Sequence, residues 1–238
     1  NLLQHSVAAI QAGQARNIVL LAGDVFQAHD FQEMAANYNR TTQQWLRPLG
    51  IASPNALFAL LTQRHMARHR LTRRDYGELV IAQRRHAARN PQAVYRAEMS
   101  MDDYLNAPQV ASPLCIYDCV PVVAGANAIL VSHEDEPHAR GARVSVRAMR
   151  SRHNVDHQAG DGLSTGLADV AARLYEDAGL HSRDIDVVSV YDDYPVMSLV
   201  QLQDLGFVQP DKVRDFLRDL VPSGRIALNT SGGQLSVG

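Results

Sequence analysis

An apolar run, IDVVSV, stops abruptly in YDDYP at Tyr191–Pro195, so a phenol and two carboxylates crowd the point where a strand of buried type ends. A phenol has an ordinary pKa of about 10, and it donates a hydrogen bond to a developing oxyanion or, with help, takes a proton from a hydroxyl. Two carboxylates suggest paired acid and base, but adjacent residues on extended chain point to opposite faces. Tyr191 is therefore the first choice for chemistry, Asp192 the second, and Tyr194 a residue for contacting substrate. The plain alternative is a surface turn with two solvated aspartates. A second feature is the pair Gly232 and Gly233 in NTSGG, where backbone amides can approach an anion or oxyanion at the start of a helix. Most such pairs mark only a turn.

Other clusters point to weaker chemistry. His65 and His69 in HMARH have the spacing of two zinc ligands on one helix face, but the glutamate that would act as general base is missing. With Arg64, Arg68 and Arg70 around them, a solvated basic face is expected. His153, Asp156 and His157 are metal-ligand types in a loop, and no metal is expected there either. Cys115 and Cys119 are the only cysteines, too few for a disulfide framework or a structural zinc site. Cys119 has no neighbouring cation to lower its pKa and reads as structural.

The elements that must carry these residues follow from periodicity. Asn1–Gly13 reads as a helix leading into a central strand at Asn17–Ala22, and the stretch from Phe26 to about Asn55, which holds the only tryptophan, Trp45, reads as a surface excursion. Ala56–Arg68 and Arg73–Ala88 are amphipathic helices, the second capped by Thr72, and a short helix lies near Met101–Leu105. A buried strand is expected at Ala126–Val131. The charged segment His133–Gly141 marks a domain join. Beyond it come a strand at Ala142–Ala148, a helix at Gly166–Ala178 closed by Gly179, and a strand at Ile185–Val190 that delivers Tyr191. In open α/β sheets ligands bind at the carboxyl ends of strands, and that is where YDDYP lies.

With 238 residues, 46% hydrophobic and 20% charged, the chain can bury a sizeable core. Its 23 basic and 25 acidic residues give a net charge of -2, so no bulk field recommends nucleic acid or an anionic membrane as partner. No apolar run reaches the length of a membrane span, and the reduced cysteines favour a cytoplasmic setting.

Taken in order, several segments resemble the thiolase superfamily, specifically its sterol-carrier-protein type. HRLTRRDYGELVIAQRRHAARNP is similar to a family helix, and DCVPVVAGANAILVS resembles the last strand of the first half. YDDYP stands in the place of the family's HDxF or NEAF motif, QLQDLGF matches the following helix, and NTSGGQLSVG resembles the segment before Gly-His-Pro. The resemblance implies an α/β fold of five layers, αβαβα, in two similar halves. The first would be 1–135 with a loop domain inserted at about 27–112, and the second 136–238, usually in a homodimer. It also implies an acyltransferase acting on acyl-coenzyme A thioesters by 3-oxoacyl-CoA thiolysis or Claisen condensation, with no permanently bound cofactor. Phe58 would lie roughly where the family packs a methionine against the pantetheine arm.

The resemblance puts the nucleophilic cysteine about one helical turn before Asn1 and the Gly-His-Pro histidine beyond Gly238, so the chain reads as a fragment inactive by itself. Tyr191 departs from the usual motif residue. Relatives with a YDxF-like motif include steroid side-chain aldolases, so retro-aldol cleavage of a β-hydroxyacyl-CoA is the second reading. A non-catalytic acyl-CoA-binding subunit is the third. Relatives of this subgroup often bind a small zinc-ribbon and OB-fold protein, which makes such a partner an expectation.

Overall fold

The computed structural model describes residues 2–25, 29–30, 33–34, 37, 40–51, 53–137, 143–155, 159–223 and 226–238. Helix α1 (Leu2–Gln11) turns at Gly13, which has a positive φ of 69°, into strand β1 (Asn17–Asp24). Next come helices α2 (Pro54–His69), α3 (Arg73–Ala87) and α4 (Met101–Asn106), the short strands β2 (Gln109–Ala111) and β3 (Leu114–Cys115), and strand β4 (Gly125–Ser132). The second half supplies α5 (Leu167–Ala178), β5 (Val187–Val188), α6 (Pro195–Asp204), α7 (Val213–Ser223), β6 (Ala227–Leu228) and α8 (Gln234–Val237).

Local chemistry explains the boundaries. Ser53 caps α2 by accepting the Ala56 N–H at 3.3 Å, and Pro54 occupies the first turn, where a missing N–H costs nothing. Thr72 begins α3 in a capping box with Asp75, whose carboxylate accepts from the Thr72 N–H and hydroxyl at 2.7 Å each. Gly179 ends α5 in a left-handed conformation.

β1 and β4 pair antiparallel from Asn17↔Ser132 to Asp24↔Gly125. They form where the sequence predicts strands, but they are not buried: Leu21 is 72% and Leu130 63% exposed. Among the described residues these strands pair only with each other, so apolar runs suited to a covered sheet stand open. The expected strand at Ala142–Ala148 is corrected. Residues 143–148 have strand-like alternation but no ladder partner among the described residues, and Val144 stands 94% exposed. Alternation supplies a pleated face, and a strand also needs a neighbouring edge.

The core is helical and joins both sides of the charged segment at 133–141. Ala59 of α2 and Tyr76 and Leu79 of α3 pack with Val196, Leu199 and Leu202 of α6, Leu217 of α7, and Val188 and Leu228 of β5 and β6. Arg64, Arg68 and Arg70 are exposed and form the solvated basic face that was expected, but His65 is not part of it. His65 is fully buried, because Ala59, Thr62 and His65 fall on the inward side of α2. Its Nε2–H donates to Gln203 Oε1 at 3.1 Å, and its Nδ1 accepts from the Tyr76 hydroxyl at 2.6 Å, which leaves no ring nitrogen for a metal. His69 does reach the surface, with Nδ1 donating to the Pro210 carbonyl at 2.9 Å. Asp156 and His157 lie outside the described residues. No helix among the described residues is long and apolar enough to cross a membrane.

Burial lowers the His65 pKa to about 4, with the charges of His69 and Arg68 adding to the effect and the Gln203 bond opposing it. A histidine depressed in the folded state takes up its proton more readily when unfolded. Its contribution is therefore complete above pH 6.5 and falls away between pH 6.5 and 4. Urea unfolding at pH 7 and pH 4.5 is expected to show a loss of roughly 2 to 3 kcal/mol from this residue. His65→Gln should flatten that part of the pH dependence. Equal slopes for the two proteins would remove His65 as its source.

Candidate active site

The parallel pair β5 and β6 is short, and the chain beyond it is held by side chains. After Val187↔Ala227 and Val188↔Leu228, the Asn229 N–H donates to the Val188 carbonyl at 2.8 Å. Beyond Val188 the ladder role passes to a side chain, because the Val190 N–H donates to Asn229 Oδ1 at 2.9 Å. At Tyr191 a second amide takes over. Gln201 of α6 accepts the Tyr191 N–H through Oε1 at 3.1 Å and donates Nε2–H to the Tyr191 carbonyl at 2.6 Å. Tyr191 itself is 57% exposed.

Asp192 turns the other way and is buried. Its Oδ1 accepts the Gln234 N–H at 2.9 Å and its Oδ2 the Leu235 N–H at 3.4 Å, so it caps α8 from 42 residues upstream in the chain. Burial pushes the Asp192 carboxyl above the ordinary carboxylate range, and the two backbone donors pull against that shift. Asp193 is half-buried and accepts the Tyr194 N–H at 3.0 Å. Burial raises its pKa to about 6, and the charge of Asp192 contributes in the same direction.

Tyr194 ends the motif as the residue before α6, with Pro195 in the first turn. Its ring is buried and stacks on Phe58 of α2 at a centroid distance of 4.1 Å and an interplanar angle of 17°. Its hydroxyl donates to Asn55 Oδ1 at 2.6 Å. Two residues 136 apart in sequence are thus brought into one aromatic pair at the motif's edge.

Gly232 and Gly233 complete the arrangement by being thin. A methyl group on Gly232 would lie 2.5 Å from the Ala87 side chain, and one on Gly233 would overlap Asp192 Oδ2. Both have positive φ, 107° and 66°. The Gly232 N–H is used within its turn, donating to the Asn229 carbonyl at 2.8 Å. The anion held at the start of α8 is Asp192 of the chain itself. The other side of α8 is held by α3 and the segment after it. Arg84 is buried with its guanidinium between the Tyr95 and Tyr117 rings, 5.0 and 5.3 Å from their centroids, and its Nε donates to Ser236 Oγ at 3.1 Å. The Ser236 carbonyl accepts from the N–H groups of Val94 and Tyr95 at 2.9 and 3.0 Å.

Of the residues singled out in the sequence, Asp192 and Gly233 meet, Gly232 packs beside them on Ala87, and Tyr194 meets Phe58. Tyr191 stands at the exposed end of the same segment. Sequence reasoning missed Gln201, Asn229, Asn55 and Arg84. Gln201 carried no distinguishing signal, since Ser198, Gln203 and Asp204 are also polar in PVMSLVQLQD. Burial pushes the Cys115 thiol up to about 11 and the Cys119 thiol up to about 12, with the charge of Asp118 adding to both. Neither thiol is a ready nucleophile.

Comparison with known proteins agrees with this architecture. Residues 148–238 match the family described as thiolase C-terminal domain-like. The chain is 30% identical over 258 residues to the 17-hydroxy-3-oxo-4-pregnene-20-carboxyl-CoA lyase of Mycobacterium tuberculosis, covering 98% of this chain and 65% of the lyase. The solved Ltp2-ChsH2(DUF35) aldolase superposes with a TM-score of 0.75 at 28% identity, over 98% of this chain and 63% of that one. A monomeric SCP2-thiolase like protein type 1 from Mycobacterium smegmatis shares the fold at a TM-score of 0.70 and 17% identity, over 100% of this chain and 49% of that one. The chain therefore spans about half to two thirds of the length of these proteins. Its ordered motifs, its α/β architecture and these matches make it a member of the thiolase superfamily, of the sterol-carrier-protein type.

Proposed function

We propose that this chain belongs to an enzyme that breaks or makes a carbon–carbon bond beside the carbonyl of an acyl-coenzyme A thioester, and that it does so by retro-aldol cleavage of a β-hydroxyacyl thioester. The observation that carries this reading is Tyr191, an exposed phenol at the carboxyl end of a strand whose main chain is held on both sides by Gln201. As phenolate, Tyr191 would take the proton of the β-hydroxyl while the Cα–Cβ bond breaks. That bond's electron pair becomes the thioester enolate, and the β-carbon leaves as a ketone or aldehyde. The proton then returns to Cα and gives the shortened acyl thioester. The likeness to a lyase and an aldolase, at 30% and 28% identity, supports this order of preference over acyl transfer. Acyl transfer, the 3-oxoacyl-CoA thiolysis or Claisen condensation expected first from the sequence, stands second, and it would use a thiolate other than Cys115 or Cys119, whose pKa values are raised.

In this reading Asp192 positions the strand end from beneath, while Phe58 and Tyr194 form an aromatic wall for the acyl or pantetheine arm. Gly232 and Gly233 keep the facing turn low. The halves 1–135 and 136–238, a homodimer, a cytoplasmic setting and a small zinc-ribbon and OB-fold partner belong to the same proposal, the last supported by the two-component name of the similar aldolase. The test is the demand for free coenzyme A. The purified enzyme to which the chain belongs is given β-hydroxyacyl-CoA thioesters, from short branched chains to polycyclic ones, and separately acetoacetyl-CoA with free coenzyme A. Release of a ketone or aldehyde without added coenzyme A is expected. Turnover of acetoacetyl-CoA alone, dependent on free coenzyme A, would return the assignment to acyl transfer.

A further inference from the structure

We infer that Gln201 is a positioning residue for Tyr191, fixing the main chain from which the phenol projects. The inference rests on the reading of Tyr191 as the acid–base group. The ladder of β5 with β6 ends at Val188, and Val190 is already held by a side chain. An exposed residue one step further would ordinarily have its main chain in water, free to sample several backbone conformations. Gln201 prevents this by supplying an acceptor at 3.1 Å and a donor at 2.6 Å to the same residue, which is what a neighbouring strand would provide.

The carboxamide is itself held in place. Its Nε2 also donates to the Met197 carbonyl at 2.9 Å, one turn earlier on α6, so both amide hydrogens are committed. The rest of α6 here is core: Leu199, Val200 and Leu202 are fully buried. Gln201 thus joins a helix of the core to the most exposed residue of the motif. Glutamate has nearly the same shape but offers lone pairs to two carbonyls and loses both donor bonds. Methionine keeps the length and loses all three bonds.

The test is a cycle of Gln201→Glu, Gln201→Met and Tyr191→Phe in the purified enzyme to which the chain belongs, read as kcat and KM with the acyl-CoA thioester that it turns over. Each Gln201 variant is expected to lower kcat by about ten- to a hundred-fold and to move KM by less than about two-fold, the signature of a reacting group displaced while binding survives. In the Tyr191→Phe background the same changes should have almost no further effect, because Gln201 acts through the phenol. Unchanged kcat in the Gln201 variants, with a slow Tyr191→Phe enzyme, would overturn the inference alone. A Tyr191→Phe enzyme as fast as the parent would overturn the reading on which it rests. Equal losses from Gln201→Met with and without the Tyr191 hydroxyl would make Gln201 merely structural. Hydrogen exchange on the unmodified protein gives a check that needs no variant to fold: the Tyr191 amide should be protected despite its exposed side chain, and exchange at a free-peptide rate would reject the clamp.

Discussion

Tyr191→Phe is expected to lower kcat by about two to four orders of magnitude, the range for removing a positioned acid or base, while KM changes little. The substitution keeps the ring and deletes one oxygen. The main-chain hydrogen bonds to Gln201 that hold residue 191 survive the change. The side chain is 57% exposed, which leaves little packing to lose and a stability cost of roughly 0.5 kcal/mol or less. A fall in kcat at constant KM and constant unfolding midpoint therefore isolates chemistry from folding and binding. If turnover is unaltered, the retro-aldol mechanism fails at its central group, and a non-catalytic acyl-binding role becomes the better description of the chain.

Gly233→Ala is the second large effect and acts on stability first. Gly233 sits at φ 66° and ψ 177°, a region open to glycine and closed to residues with a Cβ. Backbone strain there costs about 1 to 3 kcal/mol. The methyl would also overlap Asp192 Oδ2 and stand 2.7 Å from its carboxyl carbon. The carboxylate must then leave the amides of Gln234 and Leu235, and a buried charge parted from its donors adds on the order of 2 kcal/mol or more. A total loss of about 3 to 5 kcal/mol is expected in urea unfolding. The two contributions separate in a double-mutant cycle with Asp192→Ala. Removing the carboxylate relieves the collision and leaves only the backbone strain, so Gly233→Ala should cost less in that background. A cost below about 1 kcal/mol in the parent would contradict the close approach of the two segments.

These two residues also mark what the sequence discloses and what it withholds. Local signals carried the helices and their limits: Thr72 before α3, Gly179 after α5, and an apolar run breaking into YDDYP. Tyr191 was visible because a phenol at the end of a buried-type run is out of place there. Gly233 was visible as a glycine, but its service to Asp192 was not, since that depends on a contact across about forty residues. His65 misled for the same reason. Its neighbours Arg64 and Arg68 describe a solvated surface, while its burial is decided by Tyr76 and by Gln203, 138 residues away. Gln201 was lost among the other polar residues of α6 because a carboxamide has no meaning until its partners are known. The alternation at 143–148 failed in the opposite way, with a correct local pattern and no edge to join.

The four residues of α8 are fastened at one end by Asp192 and at the other by Arg84, Val94 and Tyr95 through Ser236. So short a helix cannot form by itself, since the cost of its first turn exceeds what four residues return. It becomes helical only when the strand end carrying Asp192 and the α3 region carrying Arg84 are already in place. The latter contact closes a loop of 152 residues. Contacts of that separation are late events. The underside of Tyr191 is therefore completed only after both supports have met across that distance.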